Sequence, residues 1–484
     1  MAHAWAVDEM KSADLNDKRL NDRLREVLSQ LADRPTASIP AACGGRADMA
    51  AAYRLFDNEK ATFENILQPH AEHTRQRMTA ESVVLLVQDT TEIDLTRPQQ
   101  QVKGAGPLDG SSRRGALLHP LHAFTPDGTP LGTVSAEAWT REEGTVCASL
   151  SRAQRAAQPI EEKESYRWVK TLEQAQAEAE HCPNTQLICL ADSEADIYEF
   201  MTLASSEPRR CDWIIRACQD RALLGENGQN NADKLHATLL AHPVLWTQTI
   251  EVRGRQPKVS CEKRGRRQPR KSRHAEVEVR AGKVTLRPPD RPRCKLPPVT
   301  VNAVLVREIN PPPGEEPVEW LLLTSLPVDT VEAVRLIVQY YCVRWMIEVL
   351  FRVLKSGCRV EERRFEELDR CLNCLAVYLI VAWRTLYVCR LGRSCPEINC
   401  EAIFEPAEWK SVWKVARRED PPAEPPPLAT MVSLVAQLGG YINRKRSGPP
   451  GPQTVWLGLQ RMHDFAICWE RFGPDTRINR ATCV

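Results

Sequence analysis

The spacing of apolar and polar positions divides the chain into helical and strand-like stretches. Leu15, Leu20, Leu24, Val27, Leu28 and Leu31 recur at helical spacing, with Lys18, Arg19, Arg23 and Arg25 among them. A turn region containing Pro, Ser and Gly follows from Pro35 to Gly45. ADMAAAYRLFDNEKATFENIL then reads as a second helix, and about Pro69 to Thr79 as a third. Residues 1–80 are therefore expected to be helical throughout. Three short helices with basic residues fit a small DNA-binding module and equally fit any small helical bundle.

At Ser82 the texture changes. SVVLLVQD is a continuous apolar run ended by Asp89, as expected of a strand buried on both faces. TTEIDL and a glycine-rich loop, KGAGPLDGSSRRG, come next. ALLHPLHAFTPDGTPLGTVSAEAWT reads as two strands joined at Asp127-Gly128. A charged helix is expected from about Glu161 to Glu180. QLICLAD repeats the first pattern, a buried strand ended by Asp192, with a helix beginning at once in SEADIYEFMTLA. DWIIRACQ, carrying Arg216, is a further strand. Strand, hairpin, helix, strand, helix, strand is the order of an α/β, RNase H-like core. From about Glu226 to Leu323 the chain enters a β-rich insertion, with WTQTIEV, AEVEVRAGKVTLRP, VTVNAVLVREI and EWLLLTSL as its strands.

DTVEAVRLIVQYYCVRWMIEVLFRVLKSG, Asp329 to Gly357, reads as one long helix, with Asp329 as N-cap ahead of Glu332 and Gly357 as its stop. Val343, Met346, Ile347, Leu350 and Leu354 share one face. Tyr341, Arg344, Glu348, Arg352 and Lys355 share the opposite one, within an arc of roughly 80° at α-helical winding. One side can pack into a core while the other presents a carboxylate flanked by cations and a phenol. An apolar helix from Cys371 to Leu391, a Pro-rich acidic linker from Glu419 to Pro427 and further helical stretches complete the chain, the last a reasonable dimer surface.

Composition narrows this picture only in places. Among 484 residues, 42% are hydrophobic and 26% charged, as in a globular protein of several domains. No apolar run reads as a membrane span, and MAHAWAVDEMK lacks the basic start and apolar core of a signal peptide. The expected setting is cytoplasmic, with no membrane partner. Net charge is only +2, but ten Lys/Arg against the single acid Glu262 crowd the stretch from Arg253 to Arg273. Such a run is usually a solvated loop; beside a candidate site it is also apt for tracking phosphates. The 17 cysteines are scattered and read as reduced core thiols. Cys371 and Cys374, with Cys389, Cys395 and Cys400, match no usual zinc spacing.

Asp89 and Asp192 each end a buried strand. If those strands are parallel neighbours, a helix packed there by its apolar face turns Glu348 toward both. Three converging carboxylates repel one another and call for a divalent cation, and oxygen-only ligands point to Mg²⁺ or Mn²⁺. Two such ions about 4 Å apart suit phosphodiester chemistry. Arg344 and Lys355 suit a phosphate backbone, with Tyr341 as a hydrogen-bond partner.

Tyr341, Arg344, Glu348 and Lys355 form the signature Y-x2-R-x3-E-x6-K. With Asp89-Thr90-Thr91 after an apolar strand and DSEAD at Asp192 to Asp196, the chain resembles the bacterial cut-and-paste DDE transposases of the insertion-sequence-four group. NAVLVREINPPPGEEPVEWLLLTSLPV, LNDKRLNDRL, AAAYRLF and LGGYINRKRSG extend the resemblance over nearly the whole chain. It implies an RNase H-like (DDE transposase/integrase) catalytic domain at 81–370 with its β-rich insertion at 226–323, a helical N-terminal DNA-binding domain at 1–80 and a helical C-terminal dimerisation domain at 371–484. It implies Asp89, Asp192 and Glu348 as catalytic ligands of Mg²⁺, with Mn²⁺ as a substitute and two ions per site. Tyr341, Arg344 and Lys355 would hold DNA near the cleaved end, Arg352 would keep a positive charge there, and Arg216 and Arg23 would contact the transposon end. Trp320 would stack on a flipped base; without the resemblance it reads as an ordinary strand residue. The implied route is nicking by water, hairpin formation and opening, then joining of 3′-OH ends to target DNA by a homodimer in a synaptic complex. Ser193 departs from the pattern, where Arg or Gly is common, and the C-terminal region matches only in part. The competing reading is a non-catalytic DNA-binding relative, an inhibitor or a domesticated protein, and a third is an RNase H-type nuclease without strand transfer.

Overall fold

The computed structural model describes residues 2–109, 112–144, 154, 158–206, 210–225, 228–254, 271–291, 295–444 and 448–474. The chain divides into two units. One comprises Met1–Ser149, His181–Thr185 and Trp345–Val484, the other Leu150–Glu180 and Gln186–Arg344. Residues 255–270, most of the basic stretch, lie outside the described residues.

The first unit begins with helices α1 (Ala4–Glu9), α2 (Lys18–Asp33), α3 (Ile39–Ala42), α4 (Arg46–Phe56) and α5 (Phe63–Met78). The expected second helix is thus two. Asp57 closes α4, and the Thr62 hydroxyl accepts the Asn65 N–H to start α5. Pro69, taken as the start of a third helix, lies inside α5. Strands β1 (Val83–Gln88), β2 (Thr91–Asp94), β3 (Gly106–Pro107), β4 (Arg114–Phe124) and β5 (Pro130–Trp139) follow. All four others pair antiparallel with β4. Gly128, at φ +84°, turns β4 into β5, as its Asp-Gly pair predicts. β1 and β2 meet β4 in one register, Gln88 opposite Leu121 and Thr91 opposite Leu118. They are one line of chain interrupted at Asp89 and Thr90.

The second unit holds α6 (Tyr166–His181), apart from its last residue, and strands β6 (Gln186–Ala191) and β7 (Asp212–Arg216), which pair in parallel through the crossover helix α7 (Tyr198–Ala204). This helix starts later than its sequence suggests, because a 3-10 turn at Ser193–Ala195 precedes it. Phe200 meets the Trp213 ring edge-on at 6.1 Å and seats α7 on the sheet. β8 (Ala222–Leu224) stands just ahead of the insertion, which contributes β9 (Asn230–Lys234), α8 (Leu235–Ala241), β10 (Trp246–Val252), β11 (Arg273–Leu286), β12 (Val299–Glu308) and β13 (Glu319–Thr324). The order runs β6-β7-β13-β12-β11-β8-β9, with β10 on β11. The insertion therefore extends the β6-β7 sheet, Leu322 of β13 lying opposite Arg216 of β7.

The long helix expected from Asp329 to Gly357 is three pieces: α9 (Val331–Val343), α10 (Trp345–Arg352) and a π-helical turn at Val353–Gly357. Its N-cap is Thr330, whose hydroxyl accepts the Ala333 N–H, rather than Asp329. Gly357 does not act as a left-handed stop. It closes the π turn, where a Cβ would lie 3.1 Å from the Trp456 ring. After it, α11 (Leu368–Ser394), α12 (Pro406–Arg417), α13 (Leu428–Leu438) and α14 (Pro452–Phe472) complete the first unit. Contrary to the sequence reading, α11 is long and apolar enough to cross a membrane, at 27 residues and a mean hydropathy of 1.6. Its apolar window is 72% buried within the fold, which marks it as a core helix. Its Cys371 and Cys374 are buried free thiols. Burial pushes Cys371 up to about 11, against the thiolate a zinc site requires.

Around α11 the first unit is tied by buried ions. Glu9 is 5% exposed and receives both Arg77 Nη1 and Nη2, at 2.9 and 3.0 Å, together with the His70 ring. Burial alone would raise the Glu9 pKa, but His70, His73 and Arg77 outweigh it and hold the carboxyl far below its usual range. Arg77 in turn lies 4.3 Å over the Trp383 ring of α11. Since the folded pKa is depressed, this stabilisation is complete above the ordinary value of 4.5 and is lost as pH falls toward the folded pKa. Glu9→Gln should lower stability by about 3 kcal/mol at neutral pH and flatten the acid limb of a urea-midpoint profile. A midpoint equal to the parent's would refute the role of this ion cluster.

Candidate functional site

In the first unit the site residues sit where regular structure is interrupted. Asp89 lies in the gap between β1 and β2, half-buried, its Oδ1 accepting the Thr90 N–H at 2.8 Å. His119 on β4 reaches both sides of this gap. Its Nδ1 lies 2.8 Å from the Thr90 hydroxyl and its Nε2 3.1 Å from Gln88 Oε1. His119 and Gln88 are fully buried, so the backbone flanking Asp89 is fastened from within the sheet. Sequence reading passed over His119; its only trace was a histidine in an otherwise apolar strand.

Glu348 stands half-buried in the first turn of α10, whose Ile347, Leu350 and Phe351 are buried. Lys355 lies in the π turn and pairs with Glu361 at 3.5 Å; Glu361 also accepts the Asp94 N–H of β2 at 3.0 Å. π turns are uncommon and recur at functional sites. Arg352 is exposed and donates to Gln453 at 3.3 Å. Arg23, on α2, pairs with Glu26 at 2.9 Å and Asp48 at 3.4 Å, so these contacts join it to neither the acidic nor the other basic site residues.

The second unit gathers the remaining five. Asp192 follows β6 and its Oδ1 accepts the Glu194 N–H at 2.8 Å, which fixes the carboxylate at the 3-10 turn. The parallel register sets Ala191 opposite Ile215, so Asp192 and Arg216 leave their strands side by side. Arg216 donates to the Glu319 carbonyl at 3.2 Å. Tyr341 is 6% exposed, contrary to the exposed face its helical position implies. Its ring meets Trp320 edge-on at 6.0 Å, and the Arg344 guanidinium lies 6.0 Å from its centroid. Burial pushes the Tyr341 hydroxyl up to about 12; Arg344 and Arg216 oppose that and Asp192 adds to it. The phenol therefore remains a neutral hydrogen-bond donor at neutral pH. Asp196, which looks like a further acidic candidate in DSEAD, is structural. It is 3% exposed, accepts the Cys218 and Gln219 N–H groups at 2.9 Å and pairs with Arg221.

Asp89, Asp192 and Glu348 are each half-buried, and a carboxylate oxygen is the donor type that suits a hard divalent cation such as Mg²⁺ or Mn²⁺. Around Asp192, two arginines and a neutral phenol make a setting matched to an anionic ester.

Three family models match the chain: transposase DNA-binding over residues 2–61, transposase DDE domain over residues 167–382 and transposase Tn5 dimerisation domain over residues 380–472. The DDE match includes Asp192, Tyr341, Arg344, Glu348 and Lys355 and begins beyond Asp89. Among solved structures, a piggyBac transposase synaptic complex with hairpin DNA, determined by cryo-EM, is similar over 97% of this chain and 74% of that chain, at 10% identity and a TM-score of 0.34. A likeness of that size carries no argument.

The fastening of the Asp89 gap is open to measurement. His119→Ala removes two hydrogen-bond partners from buried or half-buried groups and should cost about 2 kcal/mol, read as a lower urea midpoint. A midpoint equal to the parent's would show that the imidazole does not hold Gln88 and Thr90.

Proposed function

We propose that this chain, matched by transposase DNA-binding, DDE-domain and Tn5-dimerisation family models, is a DDE transposase resembling the Tn5 type and works by a cut-and-paste route with the active-site chemistry of the insertion-sequence-four group. Asp89, Asp192 and Glu348 are its catalytic carboxylates and hold two divalent ions, Mg²⁺ or Mn²⁺. When bound, the metal supplies Lewis acidity, lowering the pKa of an attacking water or 3′-OH and stabilising the leaving oxygen. The placement of Asp192 and Arg216 at adjoining strand ends, with Arg344 beside the Tyr341 ring in the same unit, is the observation that carries this reading. It couples an acidic ligand to two guanidinium groups and a donor hydroxyl, the parts a phosphodiester requires.

In this reading Arg344 and Arg216 neutralise phosphate oxygens next to the scissile bond, and Tyr341 donates a hydrogen bond to one of them. Lys355 exchanges Glu361 for a backbone phosphate, and Arg352 adds charge along the strand. Trp320 offers a flat face to a base turned out of the duplex, the step a hairpin intermediate needs. Arg23 reaches the end repeat once its bonds to Glu26 and Asp48 are released. Residues 1–80 recognise the repeat, residues 371–484 hold two subunits together, and the paired ends are joined to target DNA through their 3′-OH groups in an RNase H-like catalytic fold.

Asp89→Ala, Asp192→Ala and Glu348→Ala should each abolish cleavage of a labelled duplex carrying the element's own terminal repeat, while retardation on a native gel persists. Denaturing gels should show nicks and hairpins with Mg²⁺ and neither with EDTA. Parental cleavage by any one variant would remove that residue from the catalytic set. DNA retarded but uncut with both additions would instead identify a binding protein.

A further inference from the structure

The N-terminal segment and the last helix of the first unit share a cluster that the chemistry above does not use. His3 precedes α1, Asp33 ends α2, and His463 lies in the middle of α14. Asp33 Oδ1 is 2.8 Å from His3 Nε2 and 3.3 Å from His463 Nδ1. The two rings lie edge to face with centroids 6.0 Å apart. One candidate ligand atom from each residue lies within 4.8 Å of those of the other two, and no other such group occurs among the described residues.

We propose that His3, Asp33 and His463 form a binding site for one zinc-class divalent cation, separate from the catalytic carboxylates. Two imidazole nitrogens and one carboxylate oxygen are the three-ligand set of a tetrahedral zinc site whose fourth position is left to water. The side chains are each 18–19% exposed, enough for that water to enter. Imidazole donors select zinc or cobalt over magnesium, so the site and the oxygen-only catalytic set discriminate between metals.

The surroundings are arranged as outer partners of a metal site. Glu405 Oε1 lies 3.6 Å from His3 Nδ1, on the far side of the ring from Asp33, where a carboxylate orients a ligating imidazole. The same carboxylate accepts the Ala4 N–H at 3.3 Å, and the His3 N–H donates to the Ser29 hydroxyl at 3.0 Å. One and three residues beyond Asp33, Arg34 pairs with Asp464 at 3.1 Å and the Thr36 hydroxyl bonds Gln460 at 3.1 Å. Gln460, His463 and Asp464 occupy one face of α14, so the α2 end and this helix are aligned along a stripe. Bound metal would tie the DNA-binding segment, matched over residues 2–61, to the dimerisation segment, matched over 380–472.

The test uses full-length protein without a polyhistidine tag, stripped with EDTA, dialysed and titrated with Co²⁺. The expected result is one equivalent bound with the visible spectrum of a tetrahedral nitrogen and oxygen site, displaced by Zn²⁺ but not by Mg²⁺. His3→Gln and His463→Ala should each abolish that spectrum, whereas Glu348→Ala should keep it. Added Zn²⁺ should raise the melting temperature of the parent and of Glu348→Ala but not of His3→Gln, which leaves the helices intact and guards against misfolding of the His463 variant. No visible band with Co²⁺ in excess, a sulfur charge-transfer band, or a spectrum retained in His3→Gln would overturn the proposal.

Discussion

A helix that cannot face water governs the first unit. In α11, Leu375 to Ala382 form an unbroken buried run, and burying each large aliphatic side chain contributes about 2 kcal/mol. No single partner can cover such a helix. It is covered by α5 and β5, by α2 and α4, and by α13 and α14. The N-terminal helices and the C-terminal bundle are therefore neighbours because both have to enclose α11. Polar groups near it must then be satisfied by one another. Arg363 is 6% exposed, donates to the Pro35, Ala37 and Cys358 carbonyls and lies 4.6 Å over the Tyr378 ring. That single cation fastens the turn between α2 and α3 to the chain just after the π turn that carries Lys355.

The strands were legible because burial writes them directly. SVVLLVQ, QLICLA and the four strand stretches named within the insertion appear close to where continuous or alternating apolar runs placed them. Helix ends were less legible. The break at Asp57 and the start at Thr62 rest on a local competition among caps, and ADMAAAYRLFDNEKATFENIL holds enough helix formers to hide it. The π turn was illegible in principle, since periodicity counting assumes one winding throughout. The insertion read as β-rich, but where its strands would pair was not legible, because the pairing of β13 with β7 is a tertiary fact that no local pattern encodes.

The site divides along the same line. Asp89, Asp192 and Glu348 were legible as carboxylates placed at the ends of apolar runs or on a helical stripe. Tyr341 was placed on the correct helix but on an exposed face, because a phenol beside arginines reads as polar. In the fold its ring is an apolar object packed on Trp320, and only the hydroxyl belongs to the polar cluster. His119 and Glu361 act through other side chains, and groups whose partners are distant in sequence leave no spacing to count.

The shared register of β1 and β2 on β4 has a geometric consequence for the two residues between them. A segment clamped at both ends by ladders that agree in phase behaves as a bridge of fixed span. One residue more or fewer would throw one strand onto the opposite face of the sheet and expose a buried row. The length of this gap is thus a conserved quantity of the mechanics, independent of what its side chains do. Substitution can change the chemistry at Asp89, but the position from which that chemistry is delivered is set by the sheet on either side.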